Sequence, residues 1–232
     1  MNKKKLIFFG PFSTPHTESW SELIDSEKYS PIGITVHRGP SKMPVFSCGR
    51  GLGKFRFLLA ILMLGAYCIR HPKALVLSHY YSSYGLASLL APCQPIVFCW
   101  GSDVNVLNAR YPRVAKIVGY LANIRAKVLI VPSISIKRKL VEDGVSEERI
   151  RILQYGIDLE AFRGVLTMVT SVDDSVNVAS IRNGDALYQI DKIVDAFNQA
   201  EFGSKAATLH IFGSCHPLQY DYSDLGSRKK IV

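Results

Sequence analysis

The chain has 232 residues, of which 48% are hydrophobic and 20% are charged, and this composition predicts a globular protein and excludes disordered and fibrous ones. The net charge is +9, and it is uneven: residues 1–163 hold 22 Lys and Arg against 11 Asp and Glu, whereas residues 164–232 hold 6 against 8. A basic first part favours an anionic partner (a phosphorylated substrate, lipid headgroups or nucleic acid), and the alternative is a basic surface that serves solubility alone.

The predicted elements of the first part alternate between strands and helices. Strands are predicted at Lys5–Phe9, Ile32–His37, Leu75–Leu77, Ile96–Trp100, Val128–Val131 and Arg149–Leu153, and helices at Ser19–Ile24, Phe57–Ile69, Tyr84–Leu90, Tyr111–Ala126 and Ile134–Glu142. The segment Gly39–Gly53 is rich in Gly, Pro and Ser and is predicted as a loop. Ser133 is placed to cap the last of these helices and Gly144 to end it. The alternation is typical of βαβ units and predicts an α/β, Rossmann-like fold with a parallel sheet.

The sequence changes in character after Arg163, and a domain boundary is predicted between residues 163 and 164. Strands are predicted at Asn177–Ile181 and Thr208–Phe212, and a helix at Ala186–Phe202. Leu187, Ile190, Val194 and Phe197 would share one face of that helix. The last residues, Ser214–Val232, receive no assignment.

One long apolar run, Phe57–Ile69, stands out. Its 13 residues are too few to span a bilayer, which takes about 20. The run predicts either a helix buried in the core or a helix with one face on the sheet and the other near a membrane surface, since Lys54, Arg56 and Arg70 flank it.

Several kinds of site are excluded by the pattern of residues. The five cysteines include no Cys-x-x-Cys pair, which argues against a zinc or redox motif and fits a reducing compartment. No Gly-x-Gly-x-x-Gly follows the first strand, as a nicotinamide-binding fold would require, and GRGLGKF at Gly49–Phe55 departs from the phosphate-loop motif. The sequence contains no Asp-x-Asp motif that would predict a metal site. It also contains no recognisable nucleic-acid-binding module. The basic start of Met1–Gly10 precedes too short an apolar run for a secretory signal.

Polar residues are concentrated where the predicted strands end. They are His79, Gly101-Ser102-Asp103, Ser133 and Gly156-Ile157-Asp158. Because the carboxyl ends of parallel strands line a ligand crevice, these residues form the candidate site.

In their order along the chain, these segments resemble the retaining glycosyltransferases of glycosyltransferase family 4. The matching segments are SHYYSSYGLAS, FCWGSDV, VLIVPS and RIRILQYGIDLEAF in the first part, and NVASIRNGDALYQIDKIVDAF and LHIFGS in the second. The resemblance covers about residues 5–213. It implies the GT-B architecture, in which two Rossmann-like domains face each other across the active-site cleft.

The resemblance implies that residues 1–163 form the acceptor-binding domain and residues 164–232 the opening of the nucleotide-sugar donor domain. The family's donor domain continues further and carries a pair of glutamates, whereas no Glu follows Gly213. Tyr188 stands where the family has a Lys that binds the donor phosphate. The expectation is therefore an incomplete second domain and very weak or absent catalysis.

The resemblance also assigns roles to single residues. His79 and Asp103 would be catalytic; the alternatives are a structural histidine and an aspartate that caps the following segment. Gly10, Arg182 and Gly213 would hold the nucleotide sugar, unless Arg182 is merely solvated or paired with a carboxylate. His16, Trp100, Gly101 and Ser102 would contact the acceptor.

The implied activity is transfer of a sugar from a nucleotide sugar to a glycan or lipid-linked acceptor with retention, without a metal cofactor, in cell-surface polysaccharide or glycolipid assembly. The expected location is the cytoplasm, with peripheral binding to the inner face of the plasma membrane. The alternative is a non-catalytic module that binds an acceptor or a membrane, or one half of a split enzyme whose other chain supplies the donor site.

Overall fold

The computed structural model describes most of the first part of the chain and three stretches of the second. The described residues are 3–14, 17, 20, 23–49, 51, 53, 55–154, 156, 160, 175–181, 189–212 and 229–231. The chain divides into two compact units, Met1–Gly156 and Ile157–Val232. The predicted boundary after residue 163 lies slightly later in the chain, and the assignment of the units as acceptor and donor domains stays a prediction.

A seven-stranded parallel sheet forms the centre of the first unit. Its strands are β1 (Lys4–Phe9), β2 (Tyr29–Thr35), β3 (Val45–Ser47), β4 (Leu75–His79), β5 (Ile96–Phe98), β6 (Val128–Val131) and β7 (Ile150–Ile152). Their order in the sheet is β3-β2-β1-β4-β5-β6-β7. The chain therefore moves outward in one direction from β1 to β3 and in the other from β4 to β7, and the switch in direction lies between β1 and β4.

Helices follow the strands as βαβ units require. They are α1 (Phe55–Arg70), α2 (Leu86–Leu90), α3 (Ser102–Arg110), α4 (Pro112–Arg125) and α5 (Ile134–Glu142). A π-helical turn, Tyr81–Gly85, precedes α2, and a 3-10 turn, Glu147–Arg149, precedes β7. The predicted cap of α5 is confirmed, because the Ser133 hydroxyl accepts the Ile136 N–H.

Alternating residues of β1 reach two different cores, as the two-residue period of a strand requires. Ile7 and Phe9 lie in a core with α1 and α2. Leu6 and Phe8 lie in another, against Phe12 and the segment between β1 and β2. All four side chains are almost fully buried, so the sheet has an apolar layer on each face, as in doubly wound folds.

In the second unit, the described residues form a three-stranded parallel sheet and one helix. The strands β8 (Val176–Ser180), β9 (Ala207–Ile211) and β10 (Lys229–Ile231) lie in the order β10-β9-β8. The helix α6 (Ile190–Gln199) buries Ile190, Val194 and Phe197, as its sequence pattern predicted. The predicted first turns of this helix at Ala186–Tyr188 lie outside the described residues.

Among the described residues, the sequence missed two strands and one α-helix. The strand β3 lies inside the segment predicted as a loop, and β10 lies in the tail that received no assignment; each has only three residues, too few to show a period. The helix α3 was missed because only Asp103, Val104 and Leu107 are buried along it. Its apolar pattern is therefore weak, and its amino end is fixed by contacts that are distant in sequence.

Candidate functional site

The candidate site lies at the carboxyl ends of β1 and β4, where the chain changes direction across the sheet. In open parallel sheets this switch point opens a crevice that binds ligands. Gly10 follows β1, and a Cβ atom there would lie 3.0 Å from the Cβ of His79 and 3.2 Å from Oγ1 of Thr17. Because a side chain at Gly10 would displace its neighbours, glycine lets the end of β1 lie directly against His79.

His79 ends β4 and is completely buried. Its imidazole stacks on Phe98, with ring centroids 4.8 Å apart and planes 9° apart, and on Phe8 at 6.1 Å and 14°. Trp100 lies against it at a tilt, 5.8 Å away. Since the imidazole has no exposed surface, contact with a substrate requires one of its neighbours to move. The catalytic role of His79 stays a prediction, and the stacking fits the structural alternative.

Two half-buried aromatic rings lie beside His79. Tyr80 and Trp100 stack with centroids 6.3 Å apart and planes 29° apart. Tyr80 has a φ of +72°, a backbone conformation that is costly for a side chain other than glycine and is found mainly at functional sites. The Tyr80 N–H donates to the Phe98 carbonyl at 3.1 Å, so the loops after β4 and β5 are joined here.

Asp103 holds these two loops together. One carboxylate oxygen accepts the Trp100 N–H at 2.9 Å and the Val104 N–H at 3.0 Å, and the other accepts the Tyr81 N–H. The side chain is 5% exposed. Burial raises the pKa of the carboxyl above its usual value, and the hydrogen bonds from the backbone oppose that rise. Asp103 thus lies in the first turn of α3 and joins the loop after β4 to the loop after β5. Its catalytic role stays a prediction.

Gly101 and Ser102 lead into α3. Gly101 has a φ of +94°, which only glycine adopts without strain. Ser102 is exposed on the first turn of the helix. Gly101 itself is buried, and the contact of both residues with an acceptor stays a prediction.

Three predicted site residues lie outside the described residues: His16 in the acceptor site, and Arg182 and Gly213 in the donor site. Their roles stay predictions. Metal-independent transfer also stays a prediction; in the parts of the chain that the structure describes, no group of three His, Cys, Asp or Glu side chains could hold a metal.

Sequence reasoning missed a basic pocket at the same edge of the sheet. It lies beyond the carboxyl ends of β2 and β3, has a volume of about 340 Å³, and is lined in part by His37, Arg38 and Arg56. Its wall includes Gly49, Gly51 and Gly53, all with positive φ. The glycine-rich segment GRGLGKF is the part of the pocket that is visible in the sequence, although it matches no phosphate-loop motif. The arginines of the pocket come from separate elements, Arg38 after β2 and Arg56 in α1.

A larger cavity of about 800 Å³ lies at the opposite end of the sheet. It is lined by the residues that precede β4 and β5 and by the carboxyl ends of α1 and α4, among them Lys73, Cys93 and Arg125. Ligands of open parallel sheets bind at the carboxyl ends of the strands, so we place the candidate site at the other edge despite the smaller volume there. Within the described residues, no helix is both long and apolar enough to span a bilayer.

The fold resembles solved structures along nearly the whole chain. Anabaena Alr3699/HepE in complex with UDP has a TM-score of 0.67 at 16% identity, over 99% of this chain and 68% of that protein. UDP-N-acetylglucosamine 2-epimerase from Rickettsia bellii has a TM-score of 0.53 at 13% identity, over 100% and 69%. The apo form of the lipopolysaccharide outer core galactosyltransferase WaaB has a TM-score of 0.53 at 13% identity, over 89% and 60%.

The chain has a GT-B-type, Rossmann-like fold. The α/β class predicted from the sequence is therefore confirmed. No protein-family model matches the chain, and no curated protein matches it. At these identities the likeness is one of fold alone, and membership of glycosyltransferase family 4 stays a prediction.

Proposed function

We propose that this chain belongs to an enzyme which transfers a sugar from a nucleotide sugar to a glycan or lipid-linked acceptor, with retention of configuration. The observation that carries the proposal is the switch point between β1 and β4 of a seven-stranded parallel sheet, the place where such sheets bind ligands, in a chain with a GT-B-type fold. HepE, which has the same fold, was solved with UDP and with UDP-glucose. Retention rests on the resemblance of the sequence motifs to family 4.

In such a reaction the acceptor hydroxyl forms a bond to the anomeric carbon on the face from which the diphosphate leaves, and the hydroxyl proton goes to the leaving diphosphate. Negative charge grows on the leaving diphosphate, and positive groups that are aimed at it lower the barrier. Arg182 is our candidate for this role, and Gly10 and Gly213 are the candidates that the resemblance to family 4 gives for holding the donor. Arg182 and Gly213 lie outside the described residues. The half-buried ring of Trp100, with Gly101 and the exposed Ser102 after it, would receive the acceptor.

We further propose that the acceptor is presented at an anionic membrane surface, as in polysaccharide or glycolipid assembly. The support is a stripe of exposed apolar side chains on α1, at Phe55, Leu58, Leu62 and Ile69, whose exposed fractions run from 56% to 74%. The opposite face of α1 is buried on the sheet through Ala60 and Leu64, among other residues. The helix α1 thus covers the core with one face and exposes apolar side chains on the other. Its contact with a membrane is the part that we propose.

A specific observation also favours the non-catalytic alternative. His79 is enclosed and both carboxylate oxygens of Asp103 accept backbone N–H groups, so neither side chain is presented to a substrate. A module that binds an acceptor, or that pairs with a separate chain supplying the donor site, needs no catalytic group at this position.

Thermal-shift measurements with UDP-, GDP- and ADP-glucose test donor binding, because a ligand that binds the folded state stabilises it by about 2.7 kcal/mol at 100 times its Kd. We expect a concentration-dependent rise in Tm with at least one of them and none with glucose. No rise with any nucleotide sugar would contradict the proposal. Release of the free nucleoside diphosphate upon addition of an acceptor glycan separates transfer from binding alone.

A further inference from the structure

The basic pocket defined above is built from separate elements of the first unit. Ser13 comes from the loop after β1, His37 and Arg38 follow β2, Ser47 ends β3, and Arg56 lies in the first turn of α1. Its volume, about 340 Å³, lies in the range of small-molecule sites. Because Ser13 belongs to the loop that begins at Gly10, the pocket lies at the same edge of the sheet as the switch-point crevice.

A hydrogen-bond network fixes His37 as a neutral acceptor. Nη2 of Arg56 lies 3.1 Å from Nε2 of His37; since a guanidinium can only donate, Nε2 accepts and the proton of the neutral ring lies on Nδ1. Nδ1 is 2.9 Å from the Tyr84 hydroxyl, which accepts that proton.

The Tyr84 hydroxyl is itself held by the chain of β2. It accepts the backbone N–H of Val36 at 3.0 Å and lies 3.1 Å from Oγ1 of Thr35. The backbone N–H of His37 is shared between Oγ1 of Thr35, at 2.9 Å, and the Tyr84 hydroxyl, at 3.1 Å. Because the Tyr84 hydroxyl accepts in its other contacts, it donates its own proton to Oγ1 of Thr35. Tyr84 is buried, so the network rests on the core and holds the guanidinium of Arg56 in one orientation.

The charges that line the pocket are of one sign. Its described lining residues include two arginines and no Asp or Glu. In the part of the chain that the structure describes, no carboxylate lies within ion-pair distance of Arg38 or Arg56. Two guanidinium groups line this pocket, the exposed one of Arg38 and the half-buried one of Arg56. A planar guanidinium matches the two oxygens of a phosphate or carboxylate.

We propose that this pocket binds an oxyanion, a phosphate or a carboxylate, that the acceptor sugar carries. The inference rests on the proposed function, which it extends by naming the acceptor class: a charged sugar rather than a neutral one. Arg38 and Arg56 bind the oxyanion, His37 positions Arg56, and the sugar ring extends from Ser13 toward the crevice between β1 and β4.

Calorimetric titration of the purified chain tests the proposal with three probes of similar size. Glucose 6-phosphate and glucuronate carry the two kinds of oxyanion, and glucose carries neither. We expect at least one charged probe to bind about tenfold or more tightly than glucose, and which of the two it is distinguishes phosphate from carboxylate. Arg38→Gln and Arg56→Gln should each weaken that binding about tenfold or more.

The matched control is Arg113→Gln, which removes the same charge from an exposed position on α4 and should leave the binding unchanged. The proposal is overturned if Arg113→Gln weakens binding as much as Arg38→Gln does, since the attraction would then be a property of the net charge. It is also overturned if glucose binds as tightly as both charged probes, or if neither charged probe binds the wild type at millimolar concentration. Circular dichroism verifies that each variant is folded, and should Arg56→Gln fail to fold, Arg38→Gln decides alone.

Failure of this inference differs from failure of the proposed function. If UDP-glucose raises Tm while no charged sugar binds, the donor proposal stands and the acceptor class is wrong. If a charged sugar binds through Arg38 and Arg56 while no nucleotide sugar does, the oxyanion site stands and the proposal that this chain binds the donor is wrong.

Discussion

At the scale of single residues, Asp103 shows how one buried carboxylate can organise two loops. We expect Asp103→Asn to destabilise the protein by about 1–3 kcal/mol, because an amide has one acceptor oxygen and would leave a buried N–H of Tyr81 or Trp100 without its partner. Urea unfolding followed by circular dichroism measures the change. Glu148→Gln, at an exposed position, removes the same charge and should change stability by less than about 0.5 kcal/mol. Equal stability of the two variants would show that the carboxylate does not hold the loops.

His37 gives a second test at this scale, in its dependence on pH. Burial, and then the neighbouring Arg56, lower the pKa of His37 below its usual 6.5. Folding therefore favours the neutral ring, so the unfolded chain takes up a proton first as the pH falls. The contribution of His37 to stability is complete above about pH 6.5 and is lost as the pH falls from there toward the folded pKa.

Titration of the ring resonances of His37 by NMR measures this pKa directly. We expect a value below 6.5 in the wild type and a higher one in Arg56→Gln, since that variant removes the nearby positive charge. An unchanged pKa in Arg56→Gln would mean that the guanidinium does not contact the ring in solution, and the network around Tyr84 would then not orient Arg56.

At the scale of elements, Gly119 marks where α4 packs against the end of α5. A Cβ atom at Gly119 would lie 2.3 Å from the carbonyl oxygen of Asp143, closer than two such atoms can approach. Gly119→Ala should therefore destabilise the protein by about 1–3 kcal/mol, although alanine is otherwise the better helix former. Thermal unfolding compares it with Gly156→Ala, where an added Cβ meets open space and little change is expected. A stabilised Gly119→Ala would mean that α5 shifts away at low cost.

The elements that the sequence predicted well are those whose periodicity is long and whose ends carry local signals. The bounds of α1 and α4 agree with the prediction to within two residues, because an apolar face three to four turns long is visible in the sequence. The cap of α5 at Ser133 was also predicted correctly, because the capping hydrogen bond joins residues that are only three apart in the sequence. An element as short as β3 has too few residues to show a periodic pattern, and it is a strand because it pairs with β2.

The candidate site was predictable only in part. The polar residues at strand ends, among them His79 and Asp103, are visible because a buried run stops beside them. The bonds from Asp103 to Tyr81 and from Arg56 to His37 join residues 22 and 19 apart, and no local pattern encodes such distances. For that reason the basic pocket, which unites Arg38 and Arg56, emerged only from the fold.

At the scale of the whole molecule, the net charge of +9 and the apolar face of α1 predict binding to anionic membranes. The helix α4 adds a second exposed stripe, with Ile117, Tyr120 and Ile124 between 52% and 64% exposed, and α2 contacts both helices. Flotation with vesicles that contain phosphatidylserine should recover the protein at low salt. Recovery should fall as salt rises, because screening weakens the attraction between basic residues and lipid headgroups.

Insertion of the apolar stripe, as opposed to attraction by charge alone, is tested by Leu62→Ser. Burying a leucine side chain contributes about 1.5–3 kcal/mol, so this variant should bind such vesicles about tenfold more weakly. Leu23→Ser is the control, since Leu23 is more exposed, at 76% against 61% for Leu62, but lies in the segment between β1 and β2, away from α1. If both variants float as well as the wild type, the basic surface alone binds the vesicles; if neutral vesicles recover the protein equally well, the charge has no part in it.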